Sequence, residues 1–158
     1  MNMKIRLGIF ALGTTLLAAC GGGFSVDDIE DHAPQGTVAG ASWTMKSAVV
    51  TDDGERLSVS LFPVEVTACD AFASSDTEIL FSAPKKAGEY PLKLELTDLN
   101  GSQTITFVTA PGQNVVASEG ILNVESISAE KVTIGLLAEA DENTINGRFT
   151  SSICQGTN

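Results

Sequence analysis

The sequence predicts an all-β chain: a single antiparallel β-sandwich or small β-barrel of about eight to ten short strands. Three observations carry this expectation. From Gly36 onward apolar residues recur with a period of two, as in Leu57-Ser58-Val59-Ser60-Leu61. Turn compositions interrupt that pattern at short intervals: Asp52-Asp53-Gly54, Asn100-Gly101, Pro111-Gly112 and Asp141-Glu142-Asn143. No stretch of the same region carries a convincing helical period.

The chain opens differently. Lys4 and Arg6 precede an apolar run from Leu7 to Leu17, the layout of an export signal. Eleven residues fall well short of the roughly 20 that a membrane-spanning helix needs. The run ends in Leu17-Ala18-Ala19-Cys20, followed by Gly21-Gly22-Gly23. These four residues resemble the lipobox of bacterial lipoproteins. The resemblance implies that residues 1–19 are a signal peptide and that the Cys20 sulfur carries a diacylglyceryl group. Each buried methylene of such a lipid contributes about 0.8 kcal/mol to membrane attachment. Gly21 stands where an aspartate would retain a lipoprotein at the inner membrane, so for a Gram-negative source the resemblance implies an outer-membrane address. The alternative is an ordinary signal peptide cut after Ala19, with Cys20 unmodified.

Residues 20–35 read as a flexible acidic tether, with three glycines and then Asp27, Asp28, Glu30 and Asp31. A flexible segment of that length reaches roughly 20–25 Å. It holds the single histidine, His32, which is expected to have no role. Residues 36–158 form the folded domain.

Within it, strands are expected at Thr37–Gly40, Ser42–Met45 and Ala48–Val50, then from Leu57 to near Pro63, with Val64 and Val66 continuing past a kink. Alternation disappears over Ala68–Asp76, which places Cys69 in a loop. Ile79 and Phe81 mark the next strand. Leu92, Leu94 and Leu96 face one side of another, which turns at Asn100-Gly101 into a return strand with Ile105 and Phe107. The segment Ala110–Asn114 reads as a turn. Further strands run over Gly120–Ile127 and along Val132, Ile134, Leu136 and Ala138. The last carries Ile145, Phe149 and Ile153 on one parity, leaving Arg148 and Cys154 on the other. Trp43 and the phenylalanines are read as core. The opening Gly36–Trp43, the segment Ala87–Leu92, and Glu119–Val124 with Ile145-Asn146-Gly147-Arg148-Phe149 resemble small secreted β-sandwich lipoproteins of unknown function. That resemblance implies a fold and no mechanism.

Composition narrows the function. Without residues 1–19 the chain has seven basic and 20 acidic residues, a formal charge of −13. Such a charge excludes nucleic acid as a partner. Cys69 and Cys154 remain after Cys20 is lipidated, an even number in an exported chain. A disulfide between them would close a loop of about 86 residues and stabilise by roughly 4–5 kcal/mol. The alternatives are two buried thiols or a metal pair, the latter poorly supplied with ligands. No cofactor is expected beyond the covalent lipid. Weak calcium candidates exist in Asp52, Asp53 and Glu55, and in Asp98 with Asn100, although neither set has the EF-hand spacing.

Catalysis is poorly provided for. No Gly-x-Ser-x-Gly elbow, phosphate loop or nucleotide fingerprint is present, and the carboxylates sit in turns. Three classes remain. The favoured one is a non-catalytic envelope module, held at the membrane by its lipid, that binds a protein or cell-wall glycan. The others are a small-ligand or metal binder within a barrel, and a hydrolase working with carboxylates alone.

Overall fold

The structure is a computed structural model that describes residues 23–70, 73–97 and 101–155. Cys20 and the segment before it, Asp98, and the Asn100 half of the expected Asn-Gly turn lie outside the described residues.

The fold is nearly all β. Eleven strands follow one 3₁₀ turn, Val26–Asp28: β1 Gln35–Val38, β2 Ala41–Thr44, β3 Ser47–Asp52, β4 Arg56–Phe62, β5 Glu78–Pro84 and β6 Gly88–Pro91. The remainder are β7 Ile105–Ala110, β8 Gln113–Ala117, β9 Glu119–Ile127, β10 Lys131–Ala140 and β11 Asn143–Cys154. Nine of them form a curled, open path in the order β6-β9-β10-β11-β3-β4-β5-β7-β8, a half-barrel. The hairpin β1–β2 adds to the free side of β11.

Two sheets result. Sheet A holds β6, β9, β10, β11, β1 and β2, and sheet B holds β3, β4, β5, β7 and β8. They join where Ile153 and Cys154 at the end of β11 pair with Val50 and Thr51 of β3. This is the one parallel junction among the described strands. Between the sheets lie Leu57, Ile79, Phe107, Leu122, Ile134 and Leu136, none with accessible surface. Trp43 belongs to the same core and is 3% exposed.

The alternating segments are strands with the expected parity. Leu57, Val59 and Leu61 face the core while Ser58 and Ser60 face out. The Asp52-Asp53-Gly54 hairpin is closed by Asp53 N–H donating to the Arg56 carbonyl at 3.0 Å.

Four expectations need correction. Residues 23–35 are not a free tether: Ile29 and Pro34 are buried, and β1 already begins at Gln35. Val64 and Val66 lie beyond β4, and Val64 is largely exposed, because Pro63 ends the strand. Leu92 is buried, but Leu94 and Leu96 are exposed and the segment meets its partner in no strand, only at an isolated Lys93–Gln103 bridge and through hydrogen bonds between Glu95 and the Ser102 hydroxyl. The pairing residues are the four before it, Gly88–Pro91, set against β9. Finally, Asn114 does not complete a turn: Gln113–Ala117 is a full strand, β8, paired to β7.

Candidate functional site

Two surfaces stand apart from ordinary strand faces, one on each sheet. The first is the outer face of sheet A. There Ile121 and Leu137, which point away from the core, meet Ile29, with Phe24 and Val26 packed beside them. Ser25 and Asp28 shape the approach by capping each other: Asp27 N–H donates to Ser25 Oγ at 3.2 Å, and Ser25 N–H donates to Asp28 Oδ2 at 2.9 Å. Polar clamps then hold the strap of residues 24–34. Asn146 Nδ2 donates to the Asp28 carbonyl at 3.0 Å and its Oδ1 accepts from Glu30 N–H at 2.9 Å. Arg148 Nη2 donates to the Ile29 carbonyl at 2.9 Å, and Arg148 N–H to the His32 carbonyl at 2.8 Å. The Arg148 side chain also lies 3.3 Å from Glu125 Oε1 and 3.6 Å from Asp31 Oδ1.

Gly147 is required at this spot. It has φ +138°, and a Cβ there would sit 2.6 Å from the His32 carbonyl oxygen and 2.8 Å from Pro34 Cα. The Asn146-Gly147-Arg148 run is therefore a receptor for the strap. The sequence held signals of it: the apolar triplet Phe24, Val26 and Ile29, and a Ser-x-x-Asp cap. His32 sits in the strap with Nδ1 2.9 Å from the Ala33 carbonyl and Nε2 3.2 Å from Gln35 Nε2.

The second surface is a trough of about 830 Å³ on the outer face of sheet B. Its floor is the outward parity of three strands: Ser58 and Ser60 from β4, Leu80 and Ser82 from β5, Thr106 from β7. Leu94, Ser102 and Gln103 form one wall. Gln103 is 6% exposed and engaged at both ends of its amide: it donates to the Ser82 carbonyl at 2.8 Å, and its Oε1 accepts from Arg56 Nη2. Arg56 Nη2 also reaches the Ser82 carbonyl at 3.0 Å. The lining is thus rich in hydroxyls, with Glu55 and Arg56 at one end as its only ionic groups.

Cys69 and Cys154 are bonded in the structure, S–S 2.05 Å. Cys154 is in register with Thr51, so the bond pins Cys69, which lies between β4 and β5, to the junction of the two sheets. The calcium candidates are arranged otherwise than as a cation cage. Lys85 Nζ lies 2.7 and 2.8 Å from the two Asp52 carboxylate oxygens, and Gly54 N–H donates to Asp52 Oδ1 at 2.8 Å. The Lys85 hydrogen bond, with that of Gly54 behind it, holds the Asp52 carboxyl below its ordinary value of 3.8. Among the described residues no three His, Cys, Asp or Glu side chains gather as metal ligands.

Comparison with protein-family models, curated proteins and solved structures finds no match.

Proposed function

We propose that this chain is a lipid-anchored, non-catalytic binding module of a bacterial cell envelope, displaying sheet B toward an envelope protein or cell-wall glycan. One observation carries the reading. The segment that begins four residues after Cys20 is docked on the outer face of sheet A, while the open trough lies on the outer face of sheet B. Four Cα steps separate Cys20 from Phe24, at most about 14 Å of chain. A lipid on Cys20 would therefore hold sheet A near the membrane and leave sheet B turned away from it. The hydroxyl rows of the trough suit a polar, weakly charged ligand surface.

The small-ligand alternative is less well supported, because a guest between the sheets would have to displace packed side chains such as Phe107 and Leu136. The carboxylate-hydrolase alternative has the Asp52 carboxylate already engaged by Lys85.

The test joins anchor and face. Palmitate should label the wild type and not Cys20→Ser. A photo-cross-linking residue at Ser60, in the trough, should capture an envelope component that the same probe at Ser126, on β9, does not. An unlabelled wild type would remove the anchor. Equal capture from both positions would remove the face assignment, and a turnover abolished by one carboxylate substitution would replace binding with catalysis.

A further inference from the structure

β8 ends the nine-strand path, so one edge of Gln113–Ala117 has no strand hydrogen-bonded to it among the described residues, although the end of β10 lies close by. Exposed edges are ordinarily guarded by proline, by charge or by being very short, since unpaired peptide groups template further pairing. The opposite terminal strand follows this rule: β6 has four residues, among them Glu89 and Pro91, and comes one residue after Lys85-Lys86. β8 does not. Its sequence Gln-Asn-Val-Val-Ala has no charge and no proline, and Val116 is 47% exposed.

The surroundings of this edge are charged in one sense. A notch of about 340 Å³ beside it is lined by Val115, Val116, Ser118, Glu119, Glu139 and Asp141. None of these three carboxylates has an ion-pair partner among the described residues. Glu119 and Glu139 are direct cross-strand neighbours, a like-charge pair that costs stability unless a cation lies against it. Val116 is also in register with Thr106 of the trough, so a strand added to β8 would extend the outer face of sheet B.

We infer that β8 is a docking edge for an extended cationic peptide segment of a partner protein. The peptide adds as a further strand through backbone hydrogen bonds, sets apolar side chains against Val116, and places lysine or arginine against Glu119, Glu139 and Asp141. A second copy of this chain is a poor occupant. It would bring the same acidic groups to the interface, on molecules that already carry a formal charge of −11. The inference rests on the proposed function only in taking the partner from the envelope, since edge, notch and charge do not depend on Cys20.

The test uses the full chain in detergent micelles and three labelled eight-residue peptides. One alternates lysine with valine, one alternates glutamate with valine, and one is the lysine–valine peptide with N-methylated backbone amides. The lysine–valine peptide should bind and slow amide exchange within residues 113–117, and the other two should not. Glu119→Lys with Glu139→Lys should weaken binding about tenfold, and added salt should do the same. Val116→Lys should block the edge without lowering the melting temperature. Equal binding by the N-methylated peptide would overturn the inference. So would absence of binding by the lysine–valine peptide, or a dimer that protects residues 113–117 without any peptide. None of these outcomes depends on palmitate labelling, so edge and anchor can fail separately.

Discussion

Arg148 and Ile29, 119 positions apart, are joined by a hydrogen bond of 2.9 Å from the guanidinium to the main-chain carbonyl. The strap offers mainly main-chain groups to the sheet, and the Arg148 and Asn146 side chains are their principal partners. Arg148→Ala should therefore free residues 24–34 while leaving the sheets paired. The expected loss is about 1–3 kcal/mol, tempered by the partial exposure of the arginine. Hydrogen exchange should show fast amides at Ile29 and Glu30 with β9 to β11 still protected. Retained protection at Ile29 would mean that apolar packing against Ile121 and Leu137 suffices.

The Cys69–Cys154 bond spans 85 positions and fastens Cys69 to the point where β11 meets β3. Replacing both cysteines by serine should lower unfolding free energy by about 4 kcal/mol in the chain-entropy account. Cys69 itself has φ +62°, a conformation unfavourable for a side chain, which offsets part of that gain. Denaturant midpoints of the oxidised and reduced wild type should differ in the same direction as those of the wild type and the double variant.

Two carboxylates should make stability depend on pH with opposite signs. Hydrogen bonding to Lys85 lowers the folded Asp52 value beneath 3.8, so its contribution is present above that pH and is lost as pH falls through the depressed value. Glu78, in register with Val108 of β7, is pushed above 4.5 by burial. Its contribution is full below 4.5 and is lost as pH rises through the elevated value. Asp52→Asn should thus lower the melting temperature at neutral pH and match the wild type in strong acid. Glu78→Gln should raise it at neutral pH, the difference closing below about 4.5. Parallel curves for all three proteins would contradict the assignment.

The β1–β2 hairpin turns through Ala39 and Gly40, with φ +54° and +73°. Two positive values match the turn type in which asparagine or glycine is preferred first, and alanine is strained there. Asn143, 3% exposed, braces the turn by accepting from Ala39 N–H at 2.9 Å and donating to the Ala140 carbonyl. Ala39→Asn should stabilise by about 0.5–1 kcal/mol, seen as a raised melting temperature. Asn143→Ala should destabilise by about 1–3 kcal/mol, since both hydrogen bonds of the Asn143 side chain are lost.

Parity was readable wherever a strand has one wet face, as in Leu57-Ser58-Val59-Ser60-Leu61. It misled where burial comes from outside the sheet. β10 is buried on both faces near Gly135 to Leu137 because Ile29 covers it, so its consecutive apolar residues concealed the strap's docking site. The Leu92-Leu94-Leu96 alternation looked like a strand, yet only Leu92 reaches the core and the chain then leaves the sheet. β8 escaped notice for the opposite reason: Val115-Val116 breaks alternation at an edge, where one of the two valines stays wet. The trough could not be foreseen from spacing, since its serines and threonines are also what any solvent-facing strand carries.

Among the described strands β1 is the first to leave a ribosome or a membrane pore, and its partner β11 is the last. Gly36 sits so close to β11 that a Cβ there would fall 2.1 Å from the Thr144 carbonyl oxygen. Until residues 143–154 emerge, the strap has no receptor, β1 has no neighbour on that side, β3 has no link to sheet A, and Cys69 has no sulfur to meet. Loops of this length close slowly. A product that lacks Asn143–Cys154 therefore lacks the piece that ties the earlier strands together, and should remain open to proteases rather than accumulate as a shortened fold.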